Sequence, residues 1–247
     1  MNLDSSIFNQ GMGNIYTGKL SVPNNMILPQ IRPDSLFTKT NPLANPLETK
    51  PPTQALFLSQ TLDIKSVANS MIKIIDAKDS YTGKHSKAVQ KYAGIFTKML
   101  GFSDEESEFI SVGSAFHDIG KISVPESILN SNGPLTDKEF EKVKQHAEIG
   151  CKILEGMPAF SDVASKIVRS HHESWDGSGY PDNLSGENIP TGARIVAIVD
   201  SYHAMTSNRP YRKGMPTDEA IRRLNNGAGT QWDPKLVKEF IKISPMM

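Results

Sequence analysis

The chain has 247 residues, which is enough for one large domain or two small ones. Its 27 lysine and arginine residues balance its 27 aspartate and glutamate residues, and this net charge of zero argues against binding of nucleic acid polymers through bulk charge. No stretch approaches the roughly 20 apolar residues that cross a bilayer, no secretory signal pattern opens the chain, and the single cysteine, Cys151, fits a reducing compartment. We therefore expect a cytoplasmic chain with no membrane span.

Residues 1–60 are rich in residues that interrupt regular structure, with seven prolines and seven asparagines. No apolar stripe of helical or strand period runs through them. We expect a flexible or extended N-terminal segment. The alternative is a docking segment anchored by the short apolar runs at 26–28 and 55–58.

From about residue 61 the pattern changes to apolar residues at helical spacing. Ser103 and Glu106 have the spacing of a capping box before one of these stripes, and Thr136 precedes another. Strand alternation is essentially absent. The sequence predicts a single all-α domain over residues 61–247, with helical stripes at 64–75, 85–100, 109–116, 140–154, 164–168, 195–202, 221–224 and 236–240.

Polar side chains that suit metal ions fall on the core faces of several of these stripes. His117 and Asp118 follow an apolar run directly, and a buried carboxylate is costly unless it is paired or bound to a cation. Five imidazoles and two carboxylates share this placement, and together they suit Fe, Mn, Zn or Co better than Mg or Ca. They exceed the ligands of one tetrahedral ion, so we expect two metal ions, with a structural histidine-rich core as the alternative. The candidate ligands are His85, His117, Asp118, His146, His171, His172 and Asp200.

Two motifs carry a resemblance to a known family. The run HDIGK at 117–121 resembles the signature of the HD superfamily of metal-dependent phosphohydrolases, although a bare His-Asp pair is weak evidence. The eleven-residue run HHESWDGSGYP at 171–181 resembles the far more specific signature of the HD-GYP subfamily, and six flanking segments match in order over roughly residues 61–244. The resemblance implies an all-helical fold, a metal centre that commonly holds iron or manganese, and a phosphodiesterase for cyclic di-GMP.

The resemblance also implies how the ligands divide. One metal would take His85, His117, Asp118 and Asp200, and the other would take Asp118 as the bridge with His146, His171 and His172. Some family members bind a third metal through a glutamate at the position that Tyr81 occupies here. Because a tyrosine cannot replace that carboxylate in the same way, we expect two metals. His203 stands where the family usually has a second aspartate, and we expect it to lie behind a ligand or face solvent rather than to bind metal.

The implied reaction is attack of a metal-bridging hydroxide on the phosphodiester, with Asp118 and Lys121 as catalytic residues. Lys121 would contact a phosphate oxygen, Arg209 and Arg212 would bind the second phosphate or a guanine edge, and Tyr180 would stack on guanine or donate to it. Ordinary surface roles for these side chains are the alternatives. The Gly-Tyr-Pro loop consists of Asp176, Gly177, Gly179, Tyr180 and Pro181. In the family this loop is linked to contacts with GGDEF-domain cyclases. The alternative is a structural loop that orients His171 and His172.

Three further side chains receive structural expectations. Trp175 is expected to pack rather than to stack on a base, Glu173 to contact a histidine ligand, and Cys151 to be a small buried apolar residue. Two other functions stay open at this point: a catalytically silent cyclic di-GMP sensor, and a phosphohydrolase for another nucleotide. A homodimer is also open.

Overall fold

The computed structural model describes residues 66–67, 70–71, 73, 80–131, 133–157, 162–208 and 213–246, with side chains described from residue 84 onward within the first long stretch. The N-terminal segment at 1–60, the side chain of Tyr81, and both Arg209 and Arg212 lie outside this description. Eight α-helices follow in chain order over the described residues: α1 Ser80–Met99, α2 Asp104–Ala115, α3 Glu126–Leu129, α4 Asp137–Glu155, α5 Val163–Ser170, α6 Thr191–Thr206, α7 Thr217–Asn226 and α8 Pro234–Ile243. Short 3₁₀ helices cover Ile119–Ser123, Gly186–Asn188 and Ser244–Met246.

Side-chain caps fix where several helices begin. The Ser103 hydroxyl accepts from the Glu106 N–H at 3.2 Å, and the Glu106 carboxylate accepts from the Ser103 N–H at 2.8 Å. Thr136 and Glu139 form the same reciprocal pair at the start of α4. Each capping box satisfies backbone donors that have no partner inside the helix, so both helix starts expected from the sequence are confirmed.

Of the three buried apolar clusters in the described residues, the two larger ones pack against helices that carry or precede the predicted ligands. The larger one joins α1, α6 and α8, and it includes Phe96, Val199 and Phe240, all with 0% exposure. The smaller one includes Phe116 at the end of α2 and Val168 in α5, again with 0% exposure. Burial of a side chain of this size contributes about 1.5–3 kcal/mol, so the last turns of α2 and α5 are firmly anchored.

The described residues contain no β-strand; Ala228 and Trp232 form an isolated bridge. The predicted all-α fold class is therefore confirmed. Over the same residues, no helix combines the length and the apolar character that a membrane crossing requires.

Candidate metal centre

The seven predicted ligands come together between three helices and the ends of two others. His85 lies in α1, His146 in α4 and Asp200 in α6, while the two adjacent pairs directly follow the anchored ends of α2 and α5. All but His172 and Asp200 are buried, with exposed fractions of 5% or less. We call this set the histidine–aspartate cluster: His85, His117, Asp118, His146, His171, His172 and Asp200.

The cluster divides into two ligand groups that share one carboxylate. Within each group, one potential ligand atom per residue lies within 4.8 Å of every other. The first group contains His85, His117 and Asp118. The second group contains Asp118, His146, His171 and His172. Asp118 belongs to both groups, as the resemblance implies, but the first group lacks Asp200, which the resemblance also assigns to it.

Asp200 lies next to two histidines of the first group. Its Oδ1 lies 2.8 Å from His85 Nε2 and 3.8 Å from His117 Nε2. Burial raises the pKa of the Asp200 carboxyl, but the hydrogen bond and charge of His85 outweigh burial and hold the pKa well below its usual range. Asp200 is thus an anionic oxygen donor that faces two imidazole nitrogens.

Three histidines are held in one tautomer by their own helices. The Nδ1 atoms of His117, His146 and His171 each lie 2.7–2.8 Å from the carbonyl oxygen of the residue three positions earlier. Because a carbonyl oxygen only accepts, each Nδ1 carries the proton, and the lone pair of each neutral ring is on Nε2. The sequence did not reveal these acceptors, Ser114, Val143 and Val168, although the helical spacing of three is their signal.

Burial keeps the imidazoles of the second ligand group neutral. Burial lowers the pKa of His146 to about 4, against the opposing charge of Asp118, and burial together with the charge of His117 lowers the pKa of His171 to about 3. Burial, with the charge of His171, also holds the pKa of His172 well below its usual range. These rings are neutral near pH 7 and can donate a lone pair.

His117 has the opposite balance. Burial would lower its pKa, but the charge and hydrogen bond of Asp118, with the charge of Asp200, raise it to about 9. Burial likewise opposes ionisation of Asp118, yet the charges of Lys121 and His117 hold its pKa well below the usual range. The carboxylate is therefore ionised, and it attracts positive charge from both sides.

The arrangement fits a bound cation better than a hydrogen-bonded core. His146 Nε2 and His171 Nε2 lie 3.4 Å apart, although neither nitrogen carries a proton in these tautomers. His117 Nε2 is buried and faces two carboxylates, 3.2 Å from Asp118 Oδ2 and 3.8 Å from Asp200 Oδ1. Facing lone pairs repel unless a cation lies between them, so these donors match a metal site. The cluster can bind metal, and the alternative of a purely structural histidine core leaves this geometry unexplained.

Lys121 lies beside the carboxylate that the two ligand groups share. Its Nζ donates to Asp118 Oδ2 at 2.8 Å, on the same oxygen that lies 3.2 Å from His117 Nε2. The lysine contributes positive charge beside the shared carboxylate. Its expected contact with a phosphate oxygen stays a prediction.

The Gly-Tyr-Pro loop, residues 176–181, contacts the second ligand group. The Tyr180 ring stacks on His172 with a centroid distance of 4.8 Å and also meets Phe140 edge-on at 6.3 Å. Lys144 Nζ lies 5.8 Å from the Tyr180 ring, a neighbour that sequence reasoning missed although Phe140 and Lys144 are one helical turn apart. One face of Tyr180 is therefore already used by a candidate ligand.

The rest of the loop is held by backbone hydrogen bonds. The Trp175 and Asp176 N–H groups donate to the carbonyls of Gln231 and Thr230. Asp176 Oδ1 accepts from the Ser178 N–H at 2.9 Å, and Gly177 has a φ of +84°, which favours glycine. The Trp175 ring lies 5.8 Å from the Arg194 guanidinium, which agrees with its expected packing role.

Glu173 has a different role from the one expected. Its carboxylate accepts from the N–H groups of Asp182 at 2.7 Å and Leu184 at 3.0 Å, so it fixes the end of the loop. The prediction that Glu173 contacts a histidine ligand is therefore wrong. The side chain is buried, and backbone donors of the following turn satisfy it instead. Cys151 is buried as expected, and burial raises the pKa of its thiol to about 11.

A family model described as an HD domain matches residues 69–236. The chain belongs to the HD domain family. Membership confirms the resemblance that the two sequence motifs indicated. The matched range includes every residue of the histidine–aspartate cluster.

Several curated proteins are similar to this HD-domain chain. A cyclic di-GMP phosphodiesterase response regulator of Xanthomonas campestris is 36% identical over 72% of this chain and 47% of its own length. A cyclic di-GMP phosphodiesterase of Thermotoga maritima is 36% identical over 76% of this chain and 50% of its own length. A 3'3'-cGAMP-specific phosphodiesterase of Vibrio cholerae is 36% identical over 72% of this chain and 34% of its own length. The chain thus spans about half or less of the length of these relatives.

Solved structures share the fold at low sequence identity. A cyclic GMP-AMP-specific phosphodiesterase of Vibrio cholerae aligns with a TM-score of 0.56 and 17% identity, covering 72% of this chain and 48% of that one. An HDG"Y"P protein of Bdellovibrio bacteriovorus aligns with a TM-score of 0.56 and 16% identity, covering 75% of this chain and 69% of that one. These alignments support the same all-helical HD-domain fold.

Proposed function

We propose that this chain is a metal-dependent phosphodiesterase that hydrolyses cyclic di-GMP to pGpG, GMP or both. The observation that carries the proposal is the shared carboxylate: Asp118 belongs to both ligand groups of the cluster. Such sharing is what a two-metal phosphodiester hydrolase needs. Relatives at 36% identity that are named cyclic di-GMP phosphodiesterases support the same substrate.

We assign two divalent metal ions to the cluster, with iron or manganese as the native metals. His85, His117, Asp118 and Asp200 would hold one ion, and Asp118, His146, His171 and His172 would hold the other. When bound, such a pair activates water at neutral pH and offsets charge on a phosphoryl group. The mixed set of imidazole and carboxylate donors supports these metals over calcium or magnesium.

The protein's own residues would position the substrate. Lys121 is half-buried next to Asp118, where its ammonium can donate to a non-bridging phosphate oxygen as negative charge develops there. Tyr180 lies against His172 at the edge of the cluster and could offer its hydroxyl or its remaining ring surface to a guanine. Arg209 and Arg212, which the structure does not describe, are the candidates for the second phosphate.

Turnover on defined metals tests the proposal. Protein stripped with a chelator and reloaded anaerobically with Fe²⁺ or Mn²⁺ is incubated with cyclic di-GMP, and products are separated by chromatography. We expect pGpG or GMP only from the reloaded protein, with metal content measured on the same sample. Cyclic di-GMP binding without any product would instead identify a silent sensor and overturn the proposal.

A second substrate is favoured by one specific observation. Three of the similar curated proteins are named 3'3'-cGAMP-specific phosphodiesterases, one of them at 36% identity. The same assay with 3'3'-cGAMP in place of cyclic di-GMP separates the two candidates. Faster turnover of 3'3'-cGAMP at equal concentration would assign the chain to that substrate.

Several other expectations stay predictions. Asp176 and Ser178 of the Gly-Tyr-Pro loop are exposed, which supports this loop as the contact for a GGDEF-domain protein. Co-purification with such a partner, compared between wild type and Asp176→Ala, tests that contact. A homodimer, a cytoplasmic location, and the division into an N-terminal segment at 1–60 and a domain at 61–247 also stay predictions.

A further inference from the structure

His85 is held differently from the other oriented histidines of the cluster. Where His117, His146 and His171 use a backbone carbonyl, His85 Nδ1 lies 2.7 Å from the Nδ1 atom of another side chain, His203. The two rings are tilted by 40° with centroids 4.9 Å apart. At this distance the two nitrogens form a hydrogen bond, in which one must carry the proton and the other must offer its lone pair.

The opposite nitrogen of His85 decides the direction of this bond. In a neutral His85 without a metal, Nε2–H donates to Asp200 Oδ1 at 2.8 Å, so Nδ1 accepts from His203. A metal bound at Nε2 would reverse the direction of the bond between the two histidines. When Nε2 donates its lone pair to a metal, the ring proton is on Nδ1. His203 Nδ1 must then accept, and the proton of His203 must be on its Nε2.

His203 is well placed to act as this acceptor. It lies three residues after Asp200 in α6, so both side chains leave the same face of the helix. The ring of Tyr92 from α1 meets it nearly edge-on, with centroids 6.0 Å apart. The imidazole is therefore packed between α1 and α6, with Nδ1 directed at His85.

We propose that His203 is a positioning residue for the metal that His85 holds. By accepting from His85 Nδ1, it would fix the His85 tautomer in which Nε2 offers its lone pair to the metal. The inference rests on the proposed two-metal function and extends it to a residue outside the ligand set. A neutral imidazole raises the basicity of His85 less than a carboxylate acceptor would. We therefore expect a lower affinity for this metal than with aspartate at position 203.

Zinc binding tests the proposal without relying on activity. Metal-free wild type and His203→Ala are titrated with Zn²⁺ against a chelator of known affinity. We expect two zinc ions in wild type, and a loss of about 10- to 100-fold in affinity for one of them in His203→Ala. His203→Asp should restore or exceed wild-type affinity. Unchanged affinity in His203→Ala would overturn the proposal.

A double variant separates positioning from a general structural role. If His203 acts through His85, adding His203→Ala to His85→Ala causes no further loss of zinc affinity. An equal loss in both backgrounds would overturn the proposal. Tyr92→Phe is the matched control, since the Tyr92 ring also packs against His203 but takes no part in the hydrogen bond between His85 and His203, and it should leave both zinc affinities unchanged.

Nitrogen NMR on the zinc-loaded wild type shows which ring nitrogen of each histidine carries the proton. The measurement is made on wild type, so it does not require that any variant folds. The six histidines of the chain can be assigned by single substitutions. We expect His85 protonated at Nδ1 and His203 at Nε2; the reverse for His203 would overturn the proposal. If wild type binds no zinc, the two-metal function itself fails, whereas normal zinc binding with wild-type behaviour of His203→Ala removes only this inference.

Discussion

Asp118 and His146 come from different helical segments, yet Asp118 Oδ1 lies 3.6 Å from His146 Nε2. The other carboxylate oxygen, Oδ2, lies 3.2 Å from His117 Nε2. The two oxygens of a single side chain therefore face the two ligand groups of the cluster. Removing the charge of this side chain should affect both groups at once.

Asp118→Asn should lose both metal ions and all measurable turnover, because each group loses its shared anionic donor. Asp200→Asn is the matched comparison, since Asp200 contacts only His85 and His117 among the predicted ligands. We expect that variant to retain one ion per chain. Elemental analysis after gel filtration measures both results. Two retained ions in Asp118→Asn would contradict the shared role.

Metal-free protein should be most stable near pH 6.5. The pKa values of His146 and His171 are lowered from 6.5 to about 4 and about 3, so below pH 6.5 the unfolded chain binds more protons and stability falls as the pH decreases. The pKa of His117 is raised to about 9, so its contribution is lost as the pH rises from 6.5 to 9. Each unit of difference corresponds to about 1.4 kcal/mol in the free energy of unfolding.

Urea unfolding of chelator-treated protein between pH 4 and pH 9 measures this profile. His146→Asn removes one depressed histidine, so its acid limb should be less steep than that of wild type. A profile that is flat below pH 6.5 would show that these histidines are not buried in the neutral form.

Much of the fold and of the site follows from the sequence because both depend on local patterns. The spacing of Ser103 and Glu106 is enough to place the start of α2, since a capping box is formed by residues three apart. Ligands such as His117 and His171 could be placed because each continues a buried helical stripe. Where a buried apolar stripe ends a helix, the polar residue that comes next on the same face also points toward the core.

Other features depend on contacts between distant segments, which no local pattern encodes. Glu173 was expected beside a histidine, but the N–H groups of Asp182 and Leu184 turn back to its carboxylate. His203 was expected behind a ligand or in solvent, and only the packing of α1 against α6 shows that it contacts His85, 118 residues away along the chain. Tyr180 was expected to face a base, and its stacking on His172 depends on the path of the whole loop.

Lys121→Ala should reduce turnover while leaving the metal ions bound. The ammonium donates to Asp118 Oδ2 but is not itself a metal ligand, and loss of a charged donor near the transition state typically reduces kcat about 10²- to 10³-fold. Lys142→Ala, an exposed lysine of α4, is the matched control and should behave as wild type. Steady-state kinetics with elemental analysis test this. A large loss of metal in Lys121→Ala would show that the lysine supports the cluster instead.

Gly179→Ala should displace the Gly-Tyr-Pro loop from the cluster. A Cβ atom at Gly179 would lie 2.2 Å from Ser174 N and 2.5 Å from Glu173 Cα, and both are backbone atoms that cannot rotate away. The hydrogen bond from the Tyr180 N–H to the His172 carbonyl would be strained as well. We expect a loss of about 1–3 kcal/mol in the free energy of unfolding, typical of overpacking, together with reduced turnover.

Gly94→Ala is the control for that substitution. Its new Cβ would come no closer than 3.5 Å to Ser111 Oγ, an ordinary contact in the middle of α1, and alanine favours a helix over glycine by about 0.5–1 kcal/mol. Thermal unfolding should therefore show a lower Tm for Gly179→Ala and an equal or higher Tm for Gly94→Ala. Equal Tm values and turnover for Gly179→Ala and wild type would mean that the close approach of the loop to 172–174 is not needed to hold Tyr180 against His172.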